Sequence, residues 1–287
     1  MDFRDIPVHV IGAGSQPGAD TEAPLYIDMP RDMTRYDAPL IPEPTAVQHL
    51  HGAREAMAWL QAQLADYAEN AENRCANISA LDDRNRDLVN QILGEGENCV
   101  TYTGELTASV QESVLAGVWR SLYFDNKGDI MADMIEVGAA PNLISASIEN
   151  ACPIDTSKDD GSADAPNAMP ILVELADRHT LFKSNGNRHS INLTLLPLSL
   201  AELEYLDGRL GRGPVDILSR AYGKCQVIST LAPNVWWVRF YNSMGTLILN
   251  SLEISAVPDV VTAAPEDLAD SAERLSQILA PYWPDAA

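Results

Sequence analysis

The sequence predicts an α+β fold made by tandem duplication, on three observations. Leu93-Gly94-Glu95-Gly96 realigns without gaps with Leu210-Gly211-Arg212-Gly213, Val118-Trp119 with Val235-Trp236, and Gly128 with Gly245. Within each copy the apolar spacing changes from steps of three and four to strict alternation, the helix and strand periods. A stretch rich in Asp, Ser, Gly and Pro divides the copies. Repeats of this kind set the architecture before any single element does.

The expected organisation is an extended arm over 1–45, a first α+β repeat over 46–148, an acidic linker over 149–168, a second repeat over 169–262 and a C-terminal helix over 263–287. The arm carries seven prolines and little periodicity. Val47, Leu50, Ala53, Met57, Leu60, Leu64 and Tyr67 form one stripe of a helix over 46–68. Its counterpart runs from Ile171 to Phe182, with Pro170 suited to a first turn. Short extended segments follow at 77–81 and 191–196. A second helix spans 82–94 in copy one. In copy two it opens at Ser199 with Glu202 three residues on, a reciprocal cap, and stops at Gly211.

The rest of each copy reads as strands: 99–103, 110–124 and 130–137, matched by 215–219, 226–241 and 246–254. Hairpin turns are expected at Asn126-Lys127-Gly128 and Ser243-Met244-Gly245, where glycine supplies a positive φ. Trp119 and Trp236 occupy matching positions and are expected in the core. Pro265-Glu266-Asp267 opens the last helix with its acids at the positive end of the dipole. Each unit is therefore expected to place helices on one side of a mainly antiparallel sheet.

Composition narrows the function. Forty-one acidic against nineteen basic residues give a formal charge of -22, which repels phosphate backbones and anionic lipid. Neither a nucleic-acid partner nor membrane insertion is expected, and no apolar run or basic leader points away from the cytoplasm. The charge is uneven: 46–148 holds fifteen acidic and six basic residues, 169–258 seven and eight. Cys75, Cys99, Cys152 and Cys225 lack zinc-ligand spacing and read as reduced thiols.

No metal, cofactor or catalytic set is predicted. Val10-Ile11-Gly12-Ala13-Gly14-Ser15 has the glycines of a dinucleotide turn, but Pro17, Gly18 and Pro24 break the helix that would receive the pyrophosphate. Gly94-Glu95-Gly96-Glu97 reads as a helix stop, with Glu95 and Glu97 as acidic partner contacts. His189 and Ser190 adjoin on a strand and so face opposite ways, which leaves His189 a contact residue rather than a general base. Trp237 has no aromatic counterpart, since Arg120 stands there in copy one, and is expected as an exposed contact in a groove.

Five stretches carry a family resemblance: Gly12-Ala13-Gly14-Ser15-Gln16-Pro17, Leu93 to Glu97, Val110-Gln111-Glu112 leading to Gly117-Val118-Trp119-Arg120, His189 to Thr194, and Val257-Pro258 through Ala263-Ala264-Pro265-Glu266-Asp267-Leu268 to Leu275. With these the chain resembles, over almost its whole length, the HupH/HyaF hydrogenase expression/formation family. The resemblance implies a cytoplasmic, non-enzymatic accessory chaperone for an uptake nickel-iron hydrogenase. Its expected partners are the iron-sulfur small-subunit precursor, before twin-arginine export, and a thioredoxin-like companion chaperone. The alternative is an iron-sulfur cluster handling or redox-protection factor using Cys99, Cys152 or Cys225.

Overall fold

The two copies fold through the same succession of elements in the computed structural model, which describes residues 42–146, 152–157, 161, 164–220 and 223–283. The first contains α1 (Pro44–Val47), α2 (His51–Asn70), β1 (Arg74–Asn77), α3 (Asp83–Leu93), β2 (Asn98–Thr103), β3 (Thr107–Glu112), β4 (Val118–Phe124), β5 (Ile130–Val137) and α4 (Asn142–Ala146). The second contains α5 (Ala168–Asn185), β6 (His189–Asn192), α6 (Leu200–Leu210), β7 (Val215–Ser219), β8 (Lys224–Ser229), β9 (Val235–Tyr241) and β10 (Leu247–Ile254), and α7 (Pro265–Leu279) follows. The glycine turn at Val10–Ser15 lies outside the described residues.

All ten described strands join one antiparallel sheet in the order β1-β5-β4-β3-β2-β7-β8-β9-β10-β6. The copies meet where β2 pairs with its own counterpart β7, and there Val100 lies opposite Ile217. Asn98 pairs with Ser219 and Tyr102 with Val215, so the join has a pseudo-twofold axis between Val100 and Ile217. The described residues belong to one compact unit, Pro39–Ala287.

Matching polar side chains set the ends of matching elements. Asp82 caps α3 and Ser199 caps α6 with the full reciprocal box. Asn85 Oδ1 then accepts the N–H of Ala53 at 2.8 Å, and Glu202 Oε1 that of Asn167 at 3.0 Å, so each second helix also satisfies a donor at the start of the first. Such donors have no partner within the helix. Ser199→Ala is expected to destabilise the fold by about 1 kcal/mol in urea titration.

Six segments differ from the sequence expectation, four of them for a local reason. The extended segment expected over 77–81 is a strand at Arg74–Asn77 followed by a turn, and that over 191–196 is β6 followed by a 3-10 turn at Leu193–Leu195. In both, an asparagine at the strand end, Asn77 or Asn192, accepts the N–H two residues on and turns the chain. The run 110–124 is bent into β3 and β4, because Ser113 Oγ accepts the N–H of Leu115 and Gly117 takes φ +75°. Thr230 and Asn234, at φ +60°, repeat the bend in 226–241. The first helix is likewise broken at 48–50, whereas α5 extends past both ends of 171–182.

Helices cover one face of the sheet. Met57, Leu60 and Leu64 of α2 pack with Leu88, Val89 and Ile92 of α3 on Val118, Ile135 and Val137. Leu172 and Leu175 of α5 pack with Leu206 and Leu210 of α6 on Val235, Trp237 and Leu252. The opposite face buries Trp119 and Trp236 around Val100, Val110, Ile217 and Val227. Following the second copy, the chain crosses back: Ala263 N–H bonds Ala139 O at 2.8 Å, and Leu268, Leu275 and Leu279 of α7 join the core of the first copy. Leu268 rests on Gly117, where an added Cβ would come within 2.5 Å of its side chain. Gly117→Ala is therefore expected to cost about 2 kcal/mol, through both backbone strain and overlap.

Candidate functional site

Among the described residues, helix coverage stops short of the sheet centre. On β3, β2 and β7, and at Gln226 of β8, the side chains facing the helical side are half-buried or exposed, among them Ser109, Gln111, Cys99, Thr101, Asp216 and Leu218. Their neighbours pointing the other way, such as Val110, Val100, Ile217 and Val227, are fully buried. Strand alternation thus produces an apolar floor on one side and an open, largely polar strip on the other.

Register places these side chains in two rows that cross the join. One runs Arg120, Gln111, Cys99, Leu218, Gln226, Arg239; the other runs Leu122, Ser109, Thr101, Asp216, Ile228, Trp237. The strip is internally tied. Arg120 makes a two-pronged contact with Asp133 at 2.9 and 2.7 Å, and Gln226 Nε2 donates to Asp216 at 3.0 Å. Gln111 Nε2 donates to three carbonyl oxygens, those of Gly96, Asn98 and Glu112. Held this way, the polar side chains form a preset surface rather than a loose one.

Glu95 and Glu97 are exposed at one end of this strip, between the α3 stop at Gly94 and β2. The carbonyl of Glu97 accepts the N–H of Arg220 across the join at 3.1 Å. Burial pushes the Cys99 thiol up; nearby Arg220 opposes the shift, and Glu95 and Asp216 add to it. Cys99 is therefore a thiol rather than a thiolate near neutral pH.

The other two sequence candidates lie elsewhere. His189 is on the outermost strand β6, with Nε2 2.8 Å from Glu174 Oε1 of α5. Trp237, expected as an exposed contact, is instead 3% exposed beneath α5 and α6, and its Nε1 donates to Asn250 Oδ1. The indole shares the helix-covered end of its row, and Arg239 stacks on its outer side with the guanidinium 4.7 Å from the ring centre. The sequence expectation of exposure fails because α5 and α6 extend over that end.

Sequence reasoning passed over Gln111, Asp216, Gln226 and Arg239. A signal was available in the polar residues alternating with Val100, Val110, Ile217 and Val227 in strands at the middle of the chain. Just across the sheet lies Glu112, which accepts from Asn98 Nδ2 at 2.8 Å. Burial raises its carboxyl to about 7 against the stabilising bonds from Asn98 and Gly117. All four cysteines are free, and they do not converge: Cys99 faces the open strip, Cys225 is buried on the opposite face, and Cys75 and Cys152 are exposed elsewhere. Among the described residues no three His, Cys, Asp or Glu side chains form a metal-holding group.

A duplicated α+β scaffold with an open sheet face is the class these observations define. A family model described as HupH hydrogenase expression protein, C-terminal conserved region, matches twice, at residues 50–153 and 165–282. The double match restates the duplication independently. Hydrogenase expression/formation protein HoxQ of Cupriavidus necator is 40% identical over 97% of this chain and 98% of its own. HupH of Rhizobium leguminosarum is 40% identical over 79% and 82%, and hydrogenase-1 operon protein HyaF of Escherichia coli 30% identical over 94% and 94%. A solved chain, HupH from Thiobacillus denitrificans, is 30% identical, with a TM-score of 0.39, over 40% of this chain and 97% of that one. The chain belongs to the HupH family of hydrogenase expression/formation proteins, and its role lies in hydrogenase maturation.

Proposed function

We propose that the chain is a non-enzymatic accessory chaperone that binds the small, iron-sulfur-carrying subunit precursor of an uptake nickel-iron hydrogenase in the cytoplasm, before twin-arginine export. The observation that carries this reading is the open strip, with Glu95, Glu97 and Asp216 at the join and a broad polar surface beside them. A twin-arginine segment is basic and then apolar. Acidic side chains on the open strip attract the first part by complementary charge. The excess of acid in the first copy supplies further attraction, and a thioredoxin-like companion chaperone is the second partner of this reading.

Co-purification of the tagged chain with the precursor, with and without its signal segment, tests the reading. Retention of the full precursor is expected, and loss of all retention in both forms removes the reading. Steering by charge predicts in addition a slower association in salt, since charges more than about 8 Å apart are largely screened at physiological ionic strength. Raising sodium chloride to 1 M is expected to lower the association rate at least about tenfold in stopped-flow measurements. Glu95→Gln with Glu97→Gln is expected to reduce that salt dependence.

A further inference from the structure

Three cations gather at one corner of the open sheet face, in the second copy. Arg220 follows β7, Lys224 opens β8 and Arg239 lies near the end of β9. Strand alternation puts all three on the side of the strip. Arg220 is near Cys99, Lys224 pairs with Tyr241, and Arg239 lies opposite Gln226. Arg220 and Lys224 are exposed and Arg239 is half-buried. Among the described residues none of the three makes an ion pair, although the carbonyl of Glu97 takes the backbone N–H of Arg220. Two of them rest on rings instead: the Lys224 ammonium is 5.8 Å from the centre of Tyr241, and the Arg239 guanidinium 4.7 Å from that of Trp237.

The duplication shows that the fold does not need these charges. Realignment of Val118-Trp119 on Val235-Trp236 sets Thr103, Thr107 and Leu122 where the second copy has Arg220, Lys224 and Arg239. Pairing at these places is the same in both copies, since Thr107 lies opposite Phe124 as Lys224 lies opposite Tyr241. The first copy thus builds the same strands with three neutral residues. In a chain of charge -22, three unpaired cations on one face make a local surface of opposite sign.

We propose that Arg220, Lys224 and Arg239 receive an acidic segment of another protein, laid across the ends of β7, β8 and β9. Neighbours across strands are about 5 Å apart and diagonal ones about 7–8 Å. Alternate carboxylates of an extended chain repeat at about 7 Å, so one short segment can meet all three cations. A guanidinium held against an indole keeps its N–H edge free for a carboxylate and has less freedom to lose on binding. Nucleic acid and anionic lipid are disfavoured, because their extended charge would also meet the acidic excess of the first copy. A second copy of this chain is disfavoured by the same net charge. The proposal goes beyond the client reading, which sets a basic segment on Glu95, Glu97 and Asp216, and it gives the strip a second contact of the other sign.

Fluorescence anisotropy of a dye-labelled, capped hexaglutamate on the full chain tests it at about 0.1 M sodium chloride, where screening over about 10 Å keeps charge effects local. Saturable binding is expected. Arg220→Gln with Lys224→Gln and Arg239→Gln is expected to weaken it at least about tenfold. Arg84→Gln with Arg178→Gln and Lys183→Gln removes the same charge from exposed positions on α3 and α5, and is expected to weaken it less than about twofold. Should the first variant not fold, Arg220→Gln with Lys224→Gln leaves the Trp237 stack in place and is expected to weaken binding about fivefold. Equal losses in the two triple variants would assign the binding to overall charge and overturn the proposal. So would phosphatidylglycerol vesicles or inorganic phosphate bound as tightly as the peptide through the same three cations, which would make the occupant a lipid or a small anion. Absence of saturable peptide binding, or a sedimentation change in the first triple variant that reveals a second copy on the corner, overturns it as well. Precursor retention tests the client reading separately: its loss leaves hexaglutamate binding, and this proposal, standing.

Discussion

Trp236→Ala and Trp119→Ala are each expected to destabilise the protein by about 3–5 kcal/mol, the largest single-residue losses in the core. The two indoles are 1% and 0% exposed, and each Nε1 donates to a carbonyl nineteen residues on, Trp236 to Ser255 at 3.0 Å and Trp119 to Gly138 at 2.9 Å. Alanine leaves a large cavity and an unpaired buried carbonyl in both copies. Because the pseudo-twofold axis relates the two environments, the losses should agree within about 1 kcal/mol. Equilibrium urea titration of both variants checks this. A loss under 1 kcal/mol at either position would contradict the shared central core between the copies.

Glu112 carries the second large effect, in the pH dependence of stability. Its carboxyl is raised to about 7 in the fold, with burial the largest cause and Glu97 nearby adding to it. In the unfolded chain it returns to its ordinary value of 4.5. The folded state therefore holds a proton that the unfolded state releases between these values. Stability is expected to fall as pH rises through that window, by about 3 kcal/mol in all, and to level off above it. Glu136 and Glu253 are raised by burial too and act in the same direction. The comparison that isolates Glu112 is therefore the difference between the parent and Glu112→Gln. That difference is expected to change in favour of the variant by about 3 kcal/mol between pH 4.5 and pH 8. A constant difference across the window would remove the buried-proton account.

Much of the architecture is legible in local chemistry. The Ser199–Glu202 cap, the stops at Gly94 and Gly211, the hairpin glycines Gly128 and Gly245, and the α7 start at Pro265 all lie where the sequence places them, with positive φ at the four glycines. These features depend on residues within a few positions of one another, so a single stretch of sequence specifies them. The misplaced ends at Asn77 and Asn192 also have local causes, and an asparagine accepting a backbone N–H at a strand end was open to reading in advance.

The site was legible only in part. Glu95 and Glu97 lie on the open join because the Gly94 stop leads directly into β2. His189 is instead at the far edge, and Trp237 is beneath two helices. Arg120 and Trp237 occupy equivalent positions on the same sheet face, but Arg120 is half-buried and paired with Asp133, while Trp237 is enclosed. Alternation assigns a face to a strand residue; it does not say which end of that face a helix will cover.

The sequence by itself determined the duplication, the order of helices and strands in each copy, the buried tryptophans and the family, because periodicity, caps and motifs are properties of neighbouring residues. The tertiary structure alone decided that β2 and β7 join the copies into one ten-stranded sheet. It also decided that α7 returns to the first copy and that, among the described residues, no helix covers the central strip. Those outcomes depend on how strands far apart in the chain pair and where helices settle on them, and burial at long range leaves no mark in local spacing.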